Sequence, residues 1–176
     1  GKVPWGTQLT EESPLAPSSP YGVSKVALDL MAKVMYESYG MNVYRLRLFN
    51  NESKKRGDVF VSGNFCKQVA LMEKGLKEPV LYVGNIQSVR DWISSSDACR
   101  AAWIGLDKCI PGEVYNVCSE TKHTIKEFIE RLQELSTVKF EIKVQDTRVR
   151  PSDVDFLWGS CKKFREATGF VPEYDF

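Results

Sequence analysis

The fold is decided by P-Y-G-V-S-K-V-A-L-D-L-M-A-K-V-M-Y-E-S-Y-G, residues 20 to 40. Apolar residues recur here at the three- and four-residue spacing of a helix, and they are Val23, Val26, Ala27, Leu30, Met31 and Val34. We therefore predict a helix from about Tyr21 to Ser38, with Gly40 as its C-cap. A polar, proline-rich loop, residues 7 to 20, precedes this helix.

Strand and helix patterns alternate along the rest of the chain. A strand is predicted over residues 42 to 49, ending at Asn50-Asn51, and the charged residues 52 to 58 are expected to form a loop. The later predictions are a helix over 61 to 74, a strand over 79 to 83, a helix capped within 94 to 96, a strand over 113 to 117, a helix capped by Thr124, a strand over 140 to 144 and a short helix over 160 to 167 closed by Gly169. This alternation predicts an α/β fold.

Composition excludes several classes of protein. The chain has 176 residues, 43% of them hydrophobic, and a formal net charge of +1. This size supports one globular core, and the charge gives no reason to expect nucleic acid or an anionic membrane as a partner. No apolar run approaches the roughly 20 residues that span a bilayer. The five cysteines include no C-x-x-C pair, so we expect neither a zinc site nor a disulfide framework. Free cysteines fit a reducing compartment, and we therefore expect the protein to be cytoplasmic.

One pair of residues points to chemistry. Tyr21 and Lys25 form a Y-x-x-x-K element, and the i, i+4 spacing places both side chains on one helix face. A nearby ammonium favours the phenolate form of tyrosine, which can then exchange a proton with a substrate hydroxyl. The lysine keeps donors for a ribose. The same spacing also occurs in helices without a catalytic role. His123 is the single histidine, so a Ser-His-Asp or Cys-His mechanism is set aside.

Four segments resemble one family in the same order. P-L-A-P-S-S-P-Y-G-V-S-K, residues 14 to 25, resembles the start of the active-site helix in extended short-chain dehydrogenases/reductases acting on nucleotide sugars. The segments over residues 47 to 61, 83 to 92 and 150 to 154 are similar to F-N-H-E-S-P-R-R-G-E-x-F-V, G-N-L-x-x-x-R-D-W and R-P-[ST]-[DE]-V of GDP-mannose 4,6-dehydratases. The chain therefore resembles the GDP-mannose 4,6-dehydratase and GDP-4-keto-6-deoxymannose reductase group.

The dehydratase and the reductase both remain possible. Residues 60 to 70 and 112 to 119 resemble the reductases about as well as the dehydratases. The histidine that follows Asn50 in dehydratases is Asn51 here, and their proline-arginine pair is Lys54-Lys55. Another nucleotide-sugar epimerase of the same fold and a non-catalytic sugar-nucleotide-binding module are further alternatives, although a binding module has no need of an activated tyrosine.

The resemblance implies an architecture. The fold class is α/β, the C-terminal portion of an extended Rossmann-type fold with a small α/β substrate-binding domain. Residues 1 to 50 are expected to end the dinucleotide-binding domain. Residues 51 to 176 are expected to be mainly the substrate-binding domain, with some segments returning to the Rossmann sheet. The glycine-rich cofactor loop and the Ser/Thr-x-Glu element are not in the sequence, so we expect a piece of a longer enzyme that is inactive alone.

The resemblance also implies roles for the cofactor and the catalytic pair. The cofactor is NADP or NAD, and the reaction is dehydration of GDP-mannose to GDP-4-keto-6-deoxymannose. Tyr21 is expected to take the proton from the sugar 4-hydroxyl, and Lys25 to hold the cofactor ribose. Arg56, in a basic loop, is expected to reach the cofactor phosphate of a neighbouring subunit in a homo-oligomer, a dimer or a tetramer.

Four further residues are implied to bind the GDP-sugar. Asn50 is expected to contact the substrate, Arg90 and Arg150 to pair with its diphosphate, and Asp153 to accept hydrogen bonds from ribose or base. Three of these residues have a structural alternative. Asn50 can simply end a strand in a turn, Arg90-Asp91 can be a surface ion pair, and Arg150-Pro151 can be a loop bend.

Overall fold

The first helix of the computed structural model, which describes residues 4–145, 147 and 154–176, lies where it was predicted. Helix α1 spans Pro20–Tyr39. The Ser19 side chain caps its N-terminus by accepting a hydrogen bond from the Gly22 amide at 3.1 Å. Gly40 ends it in the left-handed conformation, φ 65°, which glycine adopts without steric cost.

The remaining elements alternate as expected for an α/β protein. The strands are β1 Arg45–Leu48, β2 Asn50–Glu52, β3 Val80–Val83, β4 Val89–Arg90, β5 Trp92–Ser94, β6 Val114–Val117, β7 His123–Thr124 and β8 Glu141–Val144. The helices are α2 Val61–Glu73, α3 Ser95–Lys108, α4 Ile125–Leu135 and α5 Lys162–Thr168. The predicted caps Ser94 and Thr124 each accept a hydrogen bond from the third residue of their helix.

The strands pair across long crossovers. β1 pairs in parallel with β6, β2 with β5 and β3 with β8, whereas β4 and β7 pair antiparallel. Parallel neighbours need a crossover connection, and helices α2, α3 and α4 lie within those connections. The strands β2, β4, β5 and β7 were not predicted, because two or three residues are too few to show an alternating pattern. Asn50 and Asn51 therefore begin a strand, whereas the prediction placed them at the end of one.

Two clusters of buried side chains form the core. The first cluster lies between α2, β3 and α4, and its buried members include Phe65, Leu81, Val83, Trp92 and Ile129. The second cluster lies between β5, α3, β6 and α5, and its buried members include Ile93, Tyr115, Val117, Phe164 and Phe170. Strand β5 joins the clusters, because Trp92 belongs to the first and Ile93 to the second.

Helix α1 leaves its apolar side chains exposed. None of its residues is buried, and the apolar side chains of Val23, Leu30, Met31 and Val34 are 45% to 58% exposed. The helical spacing of the apolar residues correctly predicted a helix. The apolar face of this helix is not covered by any of the described residues. None of the helices in the described ranges is both long and apolar enough to cross a membrane.

Candidate active site

The Tyr21 and Lys25 side chains lie together in the first turns of α1. The Lys25 ammonium is 5.3 Å from the centre of the Tyr21 ring, and Tyr21 is 71% exposed. Within the described part of the chain, neither the Tyr21 hydroxyl nor the Lys25 ammonium has a hydrogen-bond or ion-pair partner. Both polar groups can therefore bind a ligand from solvent.

The loop before α1 packs closely against its first turn. A Cβ on Gly22 would lie 3.1 Å from Pro17 Cβ, a tight contact that would require the loop to shift by a few tenths of an ångström. The Ser24 hydroxyl donates a hydrogen bond to the Tyr21 carbonyl at 2.7 Å. These contacts fix the backbone at the base of the Tyr21 side chain.

An ion pair orients the helix against the neighbouring strand. Asp29 lies four residues after Lys25, and it accepts hydrogen bonds from Arg47 at 3.0 Å and from Arg45 at 3.2 Å. Burial opposes the charge of this carboxylate, but the hydrogen bonds and charges of Arg47 and Arg45 outweigh it and lower the pKa of Asp29. Because α1 has no buried residue, this pair is a main constraint on which way Tyr21 and Lys25 face.

Asn50 presents an unused acceptor. It begins β2, directly opposite Trp92 in β5. Its side-chain oxygen is buried and has no hydrogen-bond partner among the residues that the structure describes. A buried polar atom is normally paired, because leaving it unpaired costs free energy. A hydrogen-bond donor that reached this oxygen would satisfy it.

Arg90 lines a cavity of about 560 Å³. Its guanidinium donates to the Val89 carbonyl at 2.8 Å. The cavity is also lined by the start of α2 and by the turn before β4, including Asp58, Phe60, Asn64, Asn85 and Ser88. Arg90 pairs with His123 in β7, whereas Asn50 pairs with Trp92 in β5, so Arg90 and Asn50 belong to different sheets.

Asp91 does not form the surface ion pair with Arg90 that was one alternative. It is completely buried, and its carboxylate accepts hydrogen bonds from the Ser119 amide and hydroxyl, both at 2.8 Å, and from the Gly159 amide at 3.2 Å. Burial raises the pKa of Asp91, although these hydrogen bonds oppose the rise. Asp91 therefore ties β4 and β5 to two distant loops. Adjacent residues of a strand point to opposite faces, so the sequence could have indicated that the Asp91 and Arg90 side chains lie on different faces.

Arg56 lies at a second cavity, of about 750 Å³, together with Glu52, Cys66 and Trp92. Its guanidinium is 3.6 Å from the centre of the Phe60 ring, and its Nε is 3.6 Å from a Glu52 carboxylate oxygen. The two remaining candidates, Arg150 and Asp153, lie outside the described residues. In the described ranges, no three His, Cys, Asp or Glu side chains are close enough to hold a metal ion.

The structure thus brings Tyr21 and Lys25 together on α1, whereas Arg90 lines a cavity that Asn50 does not line. Helix α1 leads into β1, which pairs in parallel with β6, and β2 pairs in parallel with β5. The class defined by this fold is the extended Rossmann-type short-chain dehydrogenases/reductases. The Pseudomonas aeruginosa RMD protein in complex with NADPH superposes with a TM-score of 0.92 and 32% identity, covering 99% of this chain and 58% of that one.

The sequence comparisons narrow this class. GDP-mannose 4,6 dehydratase 1 of Arabidopsis thaliana is 32% identical over 95% of this chain and 46% of its own length. GDP-6-deoxy-D-mannose reductase of Pseudomonas aeruginosa is 33% identical over 89% of this chain and 52% of its own length. The family model described as GDP-mannose 4,6 dehydratase matches residues 1–176, and the chain belongs to that family. It spans about half the length of these curated relatives.

Proposed function

We propose that the protein carrying this chain catalyses an NAD(P)-dependent modification of a nucleotide sugar, the dehydration of GDP-mannose to GDP-4-keto-6-deoxymannose. The observation that carries the proposal is the exposed Tyr21–Lys25 pair on a helix whose orientation is fixed by Asp29. This pair is chemically suited to remove a proton from a sugar hydroxyl. Such an enzyme is a lyase by its net reaction.

The catalytic pair suits a cofactor with a ribose. Lys25 carries three N–H donors and has no ion-pair partner among the described residues, so it can donate to ribose hydroxyls. NADP or NAD, when bound, supplies the hydride acceptor that oxidation at the sugar C4 requires. Tyr21 then accepts the 4-hydroxyl proton, and the Lys25 ammonium stabilises the negative charge on the phenol oxygen during the transfer.

The substrate is assigned to the cavity beside Arg90. A guanidinium binds phosphate oxygens in bidentate fashion, which supports Arg90 as a ligand for the diphosphate. The buried oxygen of Asn50 would accept a hydrogen bond from a sugar hydroxyl. Family resemblance adds Arg150 to the diphosphate site and Asp153 to the ribose or base. Ser88 and Asn85 lie in the same cavity and extend its polar surface.

We propose a division of the chain into two parts, and the strand pairing supports it. We assign residues 1 to 50 to the end of the dinucleotide-binding domain and residues 51 to 176 mainly to the substrate-binding domain. The pairing of β6 with β1 supports the return of residues 114 to 117 to the first of these domains. The exposed apolar side of α1, which includes Leu28 and Met31, supports a homo-oligomer. We further assign the enzyme to the cytoplasm.

A reductase acting on GDP-4-keto-6-deoxymannose is the second candidate. It is supported by the 33% identity with GDP-6-deoxy-D-mannose reductase and by Asn51, which stands where the dehydratases have a histidine.

Arg56 allows the oligomer proposal to be tested separately from the catalytic proposal. It contacts Glu52 and Phe60 of its own chain, so Arg56→Ala is expected to change cofactor affinity only if the guanidinium leaves these partners in the assembled enzyme.

Calorimetric titration tests the substrate assignment. The full-length protein is titrated with GDP-mannose and, separately, with a UDP-sugar. Saturable binding of GDP-mannose alone supports the proposal. Equal binding of both would exclude a guanine-selective site, and binding of neither by a protein with a native circular-dichroism spectrum would contradict the substrate assignment.

A further inference from the structure

The sheet formed by β3 and β8 has an open edge along β8. This strand, Glu141–Val144, pairs in parallel with β3 and with no other strand in the described ranges, and all four of its residues are exposed. In a parallel pair, alternate residues direct their N–H and C=O groups toward the partner. The Glu141 amide donates to the Pro79 carbonyl at 2.9 Å, so the main-chain groups of Ile142 and Val144 point away from β3. Those outward groups have no hydrogen-bond partner among the residues that the structure describes.

The opposite edge of the sheet, along β3, is closed by side chains and by a turn. The Val80 amide donates to the Glu78 carbonyl at 2.7 Å, and the Val80 carbonyl accepts from Lys77 Nζ at 2.8 Å. The buried side-chain amide of Gln68 bonds to Tyr82 as a neighbouring strand would. Its oxygen accepts from the Tyr82 amide at 3.1 Å, and its nitrogen donates to the Tyr82 carbonyl at 3.2 Å. The fold thus blocks the outer edge of β3 and leaves that of β8 available for pairing.

The charges of β8 are complementary to those of a second β8. Glu141 and Lys143 lie on one face of the strand, and within one copy they form only a long, exposed ion pair of 3.8 Å. When two copies pair antiparallel about a two-fold axis at Ile142, Glu141 of each copy lies opposite Lys143 of the other. These two positions are then non-hydrogen-bonded pairs, in which Cα atoms are about 4.5 Å apart and side chains approach most closely.

The hydrogen-bond pattern selects the same arrangement. An axis at Ile142 makes the two Ile142 residues a hydrogen-bonded pair, which uses the N–H and C=O groups that point away from β3. An axis at Lys143 would place two lysines opposite each other, and it would require main-chain groups that already face β3. Charge and main-chain geometry therefore favour one register.

The other face of β8 offers apolar contact. Ile142 and Val144 are in register with Leu81 and Val83, which are completely buried in the first core cluster. At the open edge this apolar face becomes uncovered, because Ile142 is 39% exposed and Val144 is 60% exposed. A second copy would bring the two Ile142 side chains together and continue the apolar face across the two-fold axis.

We propose that the β8 edge is a self-association surface, at which two copies of the chain pair antiparallel about Ile142 and form a continuous four-stranded sheet. Its strand order is β3-β8-β8-β3. A contact in which the same surface is used by both copies closes after two copies, and this one leaves neither β8 edge unpaired. The surface lies on a different element from the exposed apolar side of α1, so it is independent of that side and of the Tyr21–Lys25 pair.

Charge reversal in the full-length protein tests the register. Glu141→Lys places two pairs of lysines opposite each other, and Lys143→Glu places two pairs of glutamates. Each variant is expected to raise the dissociation constant of one association step roughly tenfold in analytical ultracentrifugation. An equimolar mixture of the two variants should associate as the native protein does, because every facing pair is again of opposite charge. Unchanged association of the single variants, or a mixture no tighter than either variant alone, would overturn the proposal.

A matched control and a second measurement isolate the β8 edge. Lys126→Glu disrupts an exposed ion pair with Glu130 on α4 and should leave the association step unchanged. Hydrogen exchange needs no variant, because the Ile142 amide points away from β3 and is expected to become protected in the associated native protein. A native protein that stays monomeric, or an associated protein whose Ile142 amide exchanges as fast as in an unstructured peptide, would overturn the proposal.

Discussion

Arg47 binds Asp29 through two parallel hydrogen bonds, from Nε to Oδ1 and from Nη2 to Oδ2, each 3.0 Å long. Asp29 is one helical turn after Lys25, and Arg47 belongs to the strand that leads into Asn50. This pair therefore connects the helix that carries Tyr21 and Lys25, the proposed proton-transfer residues, to the strand that precedes the proposed substrate contact. The orientation of Tyr21 and Lys25 depends on it.

Asp29→Asn tests this connection. The substitution removes a charge from a carboxylate that is only 11% exposed and leaves Arg45 and Arg47 without their negatively charged partner. The free energy of unfolding in urea is expected to fall by about 2 kcal/mol at pH 7. The matched control is Glu37→Gln, which removes the surface ion pair with Lys33. This control should change the free energy of unfolding by about 0.5 kcal/mol or less. Equal effects of the two substitutions would contradict the account.

The same pair has a predictable pH dependence. Burial opposes ionisation of Asp29, but Arg47 and Arg45 lower its pKa below the ordinary value. A lowered folded-state pKa stabilises the fold above the unfolded-state value, about 4, and this contribution is lost as the pH falls through the folded-state pKa. The stability difference between the native protein and Asp29→Asn should therefore narrow in urea titrations below pH 4. A difference that stays constant down to pH 2 would exclude the ion pair as its cause.

Asn50→Ala separates binding from folding. The Asn50 oxygen has no partner among the described residues, so its removal should change the free energy of unfolding by no more than about 1 kcal/mol. The dissociation constant for GDP-mannose should rise roughly tenfold, because the ligand loses a buried acceptor. Asn42→Ala, at an exposed position just before β1, should change neither quantity. A large loss of stability with unchanged affinity would make Asn50 a structural residue.

Arg90→Lys tests the diphosphate site. Lysine keeps the charge but cannot form the bidentate contact, so the dissociation constant for GDP-mannose should rise roughly 10- to 100-fold in calorimetry. Arg131→Lys alters an exposed pair with Glu134 and serves as the control. If both variants bind GDP-mannose as the native protein does, the diphosphate does not lie at Arg90.

Much of the fold could be predicted from the sequence, and the reasons are local. Helix α1 was predicted to within one residue at each end. The reason is that a proline-rich loop precedes the run of apolar residues at helical spacing and Gly40 follows it. The two- and three-residue strands β4, β5 and β7 could not be predicted, because their pairing depends on residues far away in the chain. The exposure of Met31 could not be predicted either, since a helical period does not say what covers the apolar face.

The site shows the same division. Tyr21 and Lys25 could be proposed from the sequence as a pair because they lie about one helical turn apart. Asp91 was missed because its partners, Ser119 and Gly159, are distant in sequence and adjacent only in the fold. Strand alternation alone places Arg90 and Asp91 on opposite faces, but it does not say which face is buried.

Tyr21→Phe tests the proton transfer. The substitution removes only the hydroxyl, so kcat should fall by roughly 10²- to 10⁴-fold while the dissociation constant for GDP-mannose stays within about threefold. Tyr39→Phe, at the exposed far end of the same helix, is the control and should leave kcat unchanged. An unchanged kcat for Tyr21→Phe would remove Tyr21 from the mechanism.

The reaction catalysed by the full-length protein tests the central claim most directly. The protein is incubated with GDP-mannose and a catalytic amount of NADP or NAD, and the nucleotide sugar is followed by mass spectrometry. The account predicts a product lighter by one water with no net reduction of the cofactor. GDP-mannose left intact by a folded protein that instead oxidises NADPH in the presence of GDP-4-keto-6-deoxymannose would contradict it and establish the reductase.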